Sequence, residues 1–428
     1  MNKKKGPVNQ TNIKNRLFLA LGPGLLMAGA AVGVSHLVQA TRAGADYGFA
    51  IIWVLIVAVV SKYPFLEFGP RFAAATGTHL ITGYRRMSAA AFWVYVAITF
   101  GTMFIITAAV TIVTAGLAEQ LFGMGWSNFS WSALIFATCV MLLWFGRYPG
   151  LDLSMKVIIS LLTLLTLTAV LIAFGAGAGA DAVRTGAPSY WNAAGIAFII
   201  AFMGWMPIPL DAAVWHSIWT GERSKQTGSK PDIRAARFDF DMGYGAAAFI
   251  GLLFFLLGTL VMFGSGVTFA AGSVAFSAQI VDLYSQTLGS WSVPLISVAA
   301  FITMLSTTLA VTDAYPRVLS ELWAEVSADG GESATRVSVY RLGLFAVPLA
   351  ALGVLYFTSD AFTLLVDFAA SLSFIAAPVL AWFNYRLITG NQVPPEARPS
   401  KGYRIFSLCC LAFLVVFTLI WFYWRFFS

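Results

Sequence analysis

Two short stretches of this chain gather residues that could do chemistry. The first is "GVSH", Gly33 to His36, with Gln39 one turn further on; the second is "MPIPLDAAVWHS", where Asp211 follows two prolines and His216 lies five residues beyond it. Imidazole and carboxylate suit first-row divalent ions, so His36 and Asp211 form a candidate metal pair, to which Met206 could add a softer thioether. Two of them also have a plainer reading: His36 as a core imidazole bonded to a backbone carbonyl exposed by a break in the helix, Met206 as packing. Asp211 has no apolar role to fall back on, and its carboxylate could hold a cation or relay a proton. Asp313, Asp367, Lys62 and Glu67 complete the ionisable residues singled out inside apolar runs. Lys62 and Glu67 stand about 140° apart on a helix and are read as a pair snorkelling toward the cytoplasmic surface.

The surroundings give these residues their weight. The chain has 428 residues, 59% hydrophobic and 11% charged, against roughly half and a quarter in soluble domains. Eleven apolar runs, centred near Ala28, Val57, Ile105, Phe136, Leu165, Ala201, Phe254, Phe301, Pro348, Phe374 and Val415, are each long enough for a membrane helix of about twenty residues. The expected architecture is an all-α polytopic membrane protein, one transmembrane domain over 1–428 with the lipid bilayer as its partner. Ionisable groups in hydrocarbon are costly enough to be functional hypotheses by default.

A net charge of +7 would suit nucleic acid, but the basic residues are dispersed among short loops. With the amino terminus inside, 22 of the 26 basic residues fall on the cytoplasmic side; Arg42, Arg184 and Arg425 fall outside and Lys62 lies within a span. That is the positive-inside bias. It predicts a multi-pass cell-membrane protein with a cytoplasmic amino terminus, an extracytoplasmic carboxyl terminus and no nucleic-acid partner. The basic start "MNKKK" reads as the lead into span 1 rather than a cleaved signal. Cys139, Cys409 and Cys410 sit in apolar spans, so neither a disulfide framework nor a cysteine metal site is expected, and the sequon at Asn128 lies against a span and reads as chance.

Spans 1 and 6 differ from the others. Pro207 and Pro209 each remove a backbone donor and clash with the preceding turn, so span 6 is predicted to break; span 1 carries "GPG" near its start and "GVSH" in its middle. Interrupted hydrophobic segments at corresponding positions of two halves point to a secondary transporter built of inverted repeats. Spans 1 and 6 each open a block of five, and because five is odd the second block enters the membrane in the opposite sense. The repeats are expected at 17–175 and 191–388, with helix 11 appended over 403–427. The binding site then falls where the breaks meet: Gly33, Ser35, His36, Gln39, Met206, Pro207, Pro209 and Asp211, supported by His216, Asp313 and Asp367.

The chain resembles the Nramp (natural resistance-associated macrophage protein) family of proton-coupled divalent metal transporters, which share the LeuT-type inverted-repeat fold. The resemblance is carried by "LGPGLLMAGAAVGVSHLVQATRAGADYGF", "RFAAATGTHL", "IRAARFDFDMGYGAAAF", "TRVSVYRLGLFAVP" and "SLSFIAAPV", in order along most of the chain. It implies 11 transmembrane helices, metal import by alternating access and no resident cofactor. The signature positions depart from the family. Its DPGN motif falls on Gly33, Val34, Ser35 and His36, so the metal-binding aspartate is glycine here. Its MPH motif aligns either with Met206, Pro207 and Ile208 or with Pro209, Leu210 and Asp211. The acids of its span 3 proton path fall on Thr107 and Val110, while Arg336 and Arg341 stand where it has basic residues on span 9.

Two cargo classes fit. One is a divalent cation of the manganese or iron type, or magnesium, held by Asp211 and His36 in an altered site, with proton coupling; the other is a small non-metal solute, metal binding and proton coupling having been lost. No HExxH, GxSxG or paired-cysteine constellation points to an enzyme.

Overall fold

The structure, a computed structural model, describes residues 22–145, 148–177, 186–228, 232–327, 333–358 and 361–427. The basic start of the chain, Arg147, Arg184, Lys230 and the side chain of Lys156, which enter the charge count above, lie outside the described residues.

Both predicted breaks are present. In span 1, α1 (Pro23–Ala31) stops, a wide π-helical turn covers Ser35–Ala40, and α2 (Thr41–Tyr47) resumes the path. In span 6, α8 (Ala193–Trp205) and α9 (Ala212–Thr227) are separated by Met206–Asp211, with a cis peptide between Met206 and Pro207. Between these lie α3 (Ile52–Thr76), the short α4 (Leu80–Met87), α5 (Ala89–Phe122), α6 (Asn128–Trp144) and α7 (Tyr148–Gly175). After them come α10 (Ile233–Val261), α11 (Ser273–Leu288), α12 (Ser292–Val326), α13 (Ser333–Thr358), α14 (Phe362–Thr389) and α15 (Lys401–Phe426). Among the described residues, 7 helical stretches are long and apolar enough to cross a bilayer, with shorter apolar helices beside them.

Local chemistry sets the helix ends. Ser88, Ser127, Asn192 and Asp232 cap α5, α6, α8 and α10 by accepting backbone N–H bonds, replacing partners that a helix start lacks. The segment between spans 7 and 8 contains α11. Its Phe276, Ile280, Val281, Leu283 and Tyr284 are buried, a helical stripe set among serines and glycines.

Two packed groups hold the site. The halves of span 1 run along α10, α3 packs on α9 and α8 on α14, while α5 packs on α6, α12, α13 and α14. Small residues permit the closest of these approaches. A Cβ on Gly24 would lie 2.0 Å from the Asp239 carbonyl oxygen, and one on Gly44 2.0 Å from that of Phe255. Span 1 is therefore seated on α10 on both sides of its break.

Candidate functional site at the two helix breaks

The break in span 6 follows from its prolines. Pro207 has no N–H to offer the Met203 carbonyl one turn back, and the chain turns away before Ile208 can serve that of Gly204. Carbonyls buried without a donor are costly. Here the donor comes from another helix: Lys62 on α3, 1% exposed, reaches Met203 O at 2.9 Å, Gly204 O at 3.2 Å and Ile208 O at 2.9 Å. An ammonium has three protons, and all three are used.

Lys62 therefore does not snorkel, and it is not paired with Glu67. Glu67, fully buried, receives Arg71 Nε at 2.8 Å and Arg71 Nη2 at 2.8 Å, the i,i+4 partner on its own helix face. The carboxylate that acts on Lys62 is that of Asp211, just before α9 and beyond ion-pair distance. Asp211 is partly exposed, and Tyr315 Oη donates to its Oδ2 at 3.3 Å.

The break in span 1 is closed differently. Ser35 Oγ lies 2.9 Å from Ala31 O and 3.4 Å from Pro207 O, which ties the two breaks together. Thr307 on α12 lies within reach of Gly29 O at 3.3 Å and Val32 O at 3.2 Å. Gly33 faces the same threonine so closely that a Cβ there would meet Thr307 Oγ1 at 2.6 Å. Between the breaks is a cavity of about 30 Å³, walled by Val34, Ile106, Trp205, Pro209 and Trp215, with Ser35 and Thr307 as polar lining. It has room for a water or two.

The expected metal ligands are not assembled as a set. His36 is buried with Nδ1 2.7 Å from Ser35 Oγ and Nε2 2.8 Å from Ala247 O on α10, so both ring nitrogens are engaged. The carbonyl predicted for its plainer role comes from span 7, not from the break. Met206 packs toward Gly251 and the His36 ring, whereas Asp211 bonds to Tyr315 on α12. No group of three or more His, Cys, Asp or Glu among the described residues could hold a metal ion.

The supporting residues fall at the two ends of the bundle. Gln39 Nε2 and both terminal nitrogens of Arg42 donate to Asp367, at 2.9, 2.8 and 3.2 Å, closing α2 onto α14. At the other end Asp239 accepts Gly22 N at 2.9 Å and Gly24 N at 2.6 Å, holding the start of α1. His216 lies 3.6 Å from that carboxylate, buried, with neither ring nitrogen hydrogen-bonded. Asp313 is bonded to Arg317 and Tyr340, each at 2.6 Å. Arg336 pairs with Glu321 at 3.2 Å, and Arg341 is exposed and stacked over Trp144, apart from the breaks. Thr307 and Tyr315 are site residues that reading the sequence missed, and Lys62, singled out there, was given the wrong partner. A lysine this deep in an apolar run was the one available signal.

Two discontinuous helices crossing at a central cavity define a LeuT-like transporter fold. The described architecture is similar to a manganese transporter of Eremococcus coleocola, in mutant form, at TM-score 0.71 and 14% identity, covering 98% of this chain and 89% of that one. It is also similar to MhsT in complex with L-phenylalanine, at TM-score 0.66 and 15% identity over 94% of this chain and 98% of that one. In sequence, an uncharacterized protein of Pasteurella multocida is 33% identical over 408 residues, 94% of this chain and 92% of its own. The model of the natural resistance-associated macrophage protein-like family matches residues 24–424. The chain belongs to that family of multi-pass membrane transporters.

Proposed function

We propose that the protein is a secondary active transporter that carries a divalent metal cation past the two helix breaks by alternating access. The observation behind this reading is that the break of span 6 already hosts a positive charge, with three carbonyl oxygens around the Lys62 ammonium and the Asp211 carboxylate as its opposing charge. Oxygen donors of this kind suit hard ions such as magnesium or manganese. The site is altered relative to the one the residue types suggest: Asp211 and the carbonyls of the break take the place of a His36, Asp211 and Met206 set.

In the cycle we propose, spans 1 and 6, which open the repeats 17–175 and 191–388, rock against a scaffold of α5, α6, α12 and α13. A cytoplasmic amino terminus puts the Arg42–Asp367 closure outside and the Asp239 hold on α1 inside. Proton coupling, in this reading, passes through Asp211. Span 3 offers Thr107 instead of an acid, and its hydroxyl is turned back onto Met103 O at 2.6 Å.

Isothermal titration of the purified protein with manganese and with magnesium, beside Asp211→Ala, tests the reading. Saturable binding lost in the variant is expected; a folded protein that binds neither ion would overturn it. A second reading, transport of a small non-metal solute, is favoured by the walls of the cavity, where Trp205 and Trp215 face Val34, Ile106 and Val110. A thermal-shift screen in which a metabolite stabilises the protein and divalent ions do not would select it.

A further inference from the structure

Lys62 does more than the transport cycle above requires of it. Orphaned carbonyls at a helix break can be served by neutral hydroxyls, as Ser35 and Thr307 serve those of span 1. Span 6 is served instead by a full charge, brought across from α3 and buried to 1% exposure. Burying an ammonium is justified only where its surroundings compensate it. Those surroundings are three carbonyl oxygens at 2.9, 3.2 and 2.9 Å, with the Asp211 carboxylate acting from beyond ion-pair distance, and three carbonyls so placed would also serve a small dissolved cation. Among the described residues, no titratable side chain hydrogen-bonds the ammonium in place of these carbonyls.

We propose that Lys62 is a tethered cation, filling the cation position of the span 6 break while the transporter is empty, so that the resting protein needs no dissolved sodium or potassium there. The proposal rests on the transport reading only for what displaces the ammonium. Two consequences separate it from simple helix capping. The empty protein is indifferent to the identity of the alkali ion in solution. A variant without the ammonium acquires a requirement for a small cation, because three buried carbonyls and a carboxylate are left without one.

The test uses the full-length chain in detergent at fixed ionic strength, with choline as the inert cation and the midpoint of thermal unfolding as the readout. Replacing choline by sodium, potassium or methylammonium is expected to move the wild-type midpoint by less than about 1 °C. In Lys62→Met the midpoint falls in choline and is raised by more than about 3 °C by methylammonium or by one of the alkali ions, as binding to the folded state alone demands. Lys62→Ala, purified in methylammonium, repeats the measurement with more room for the added amine. A wild-type midpoint that itself follows sodium or potassium overturns the proposal, even if neither variant folds. So does a folded variant indifferent to every cation, which would leave Lys62 a plain cap. Divalent binding is read in a separate titration: its absence would remove the metal reading and leave this one standing, and the converse holds equally.

Discussion

The two helix breaks face the same difficulty and meet it by different means. In span 1 the freed carbonyls are served by hydroxyls, Ser35 from the break itself and Thr307 from α12, and the turn is packed so closely that Gly33 has no room for a Cβ. In span 6 they are served by the ammonium of Lys62, which must reach over from α3. Hydroxyls are neutral and can stay where they are throughout a transport cycle. An ammonium is exchangeable with any cation that offers the carbonyls a better bargain. In the transport reading proposed above, the breaks take distinct parts: span 1 is the closely packed joint, and span 6 the charge-selective half of the site.

The most direct way to break this comparison is to remove the ammonium. In choline buffer, Lys62→Ala is expected to destabilise the fold by about 3–5 kcal/mol, the usual consequence of deleting one partner of a buried charged set. The measurement is the denaturant or thermal midpoint against wild type. A loss under about 1 kcal/mol would mean that the break re-closes without a cation, and the contrast between the breaks would vanish.

Next in size is Gly33→Asp, which restores the acid that the family resemblance places at this position. The new Cβ would meet Thr307 Oγ1 at 2.6 Å and Cγ2 at 2.8 Å. Overpacking of this kind costs about 1–3 kcal/mol, before a carboxylate is buried in the turn. The expected result is a lower melting midpoint with no gain in manganese affinity by titration. A variant that melts like wild type and binds manganese more tightly would show that span 1 is not the fixed joint described here.

How much of this was legible in the sequence differs between the breaks. Pro207 and Pro209 announce the interruption of span 6, and the apolar runs announce the bundle, because those signals are local. The partner of a freed carbonyl is not local. Lys62 and Met203 lie 141 residues apart, and no helical spacing connects them, so Lys62 was matched to Glu67 although Arg71 stood at the i,i+4 position. His36 was half legible: its bond to a carbonyl follows from the cost of burying an imidazole, but that the carbonyl belongs to Ala247 depends on how span 1 seats on α10. The closure of Gln39 and Arg42 on Asp367 was hidden for the same reason, since the sequence names the groups and only the packing pairs them.

Asp211 tests the charge-selective half from the acidic side. It is partly exposed, and the bond it receives from Tyr315 is long, at 3.3 Å. Asp211→Asn keeps the shape and removes the charge. Manganese or magnesium affinity is expected to fall at least about 10–100-fold, the range seen when even an outer partner of a metal ligand is lost, with the melting midpoint lowered as the Lys62 ammonium loses its opposing charge, though by less than in Lys62→Ala. Equal affinity in variant and wild type would move the binding function away from the span 6 break.

The smallest effect is expected at Ser35, and it sharpens the comparison from the other side. Its hydroxyl carries one proton and has three acceptors in reach: His36 Nδ1 at 2.7 Å, Ala31 O at 2.9 Å and Pro207 O at 3.4 Å. With His36 donating through Nε2 to Ala247 O, Nδ1 is left as an acceptor, and the one serine proton is divided between it and the carbonyls of the break. Ser35→Ala deletes a bond that was already shared, so the expected destabilisation is about 1 kcal/mol, the ordinary worth of one neutral hydrogen bond. A double-mutant cycle with His36→Gln isolates the serine–imidazole part, for which a coupling of about 0.5 kcal/mol or more is expected for side chains in contact. If Ser35→Ala cost as much as Lys62→Ala, neutral and charged caps would be energetically alike, and the division between a fixed joint and a charge-selective half would have to be abandoned.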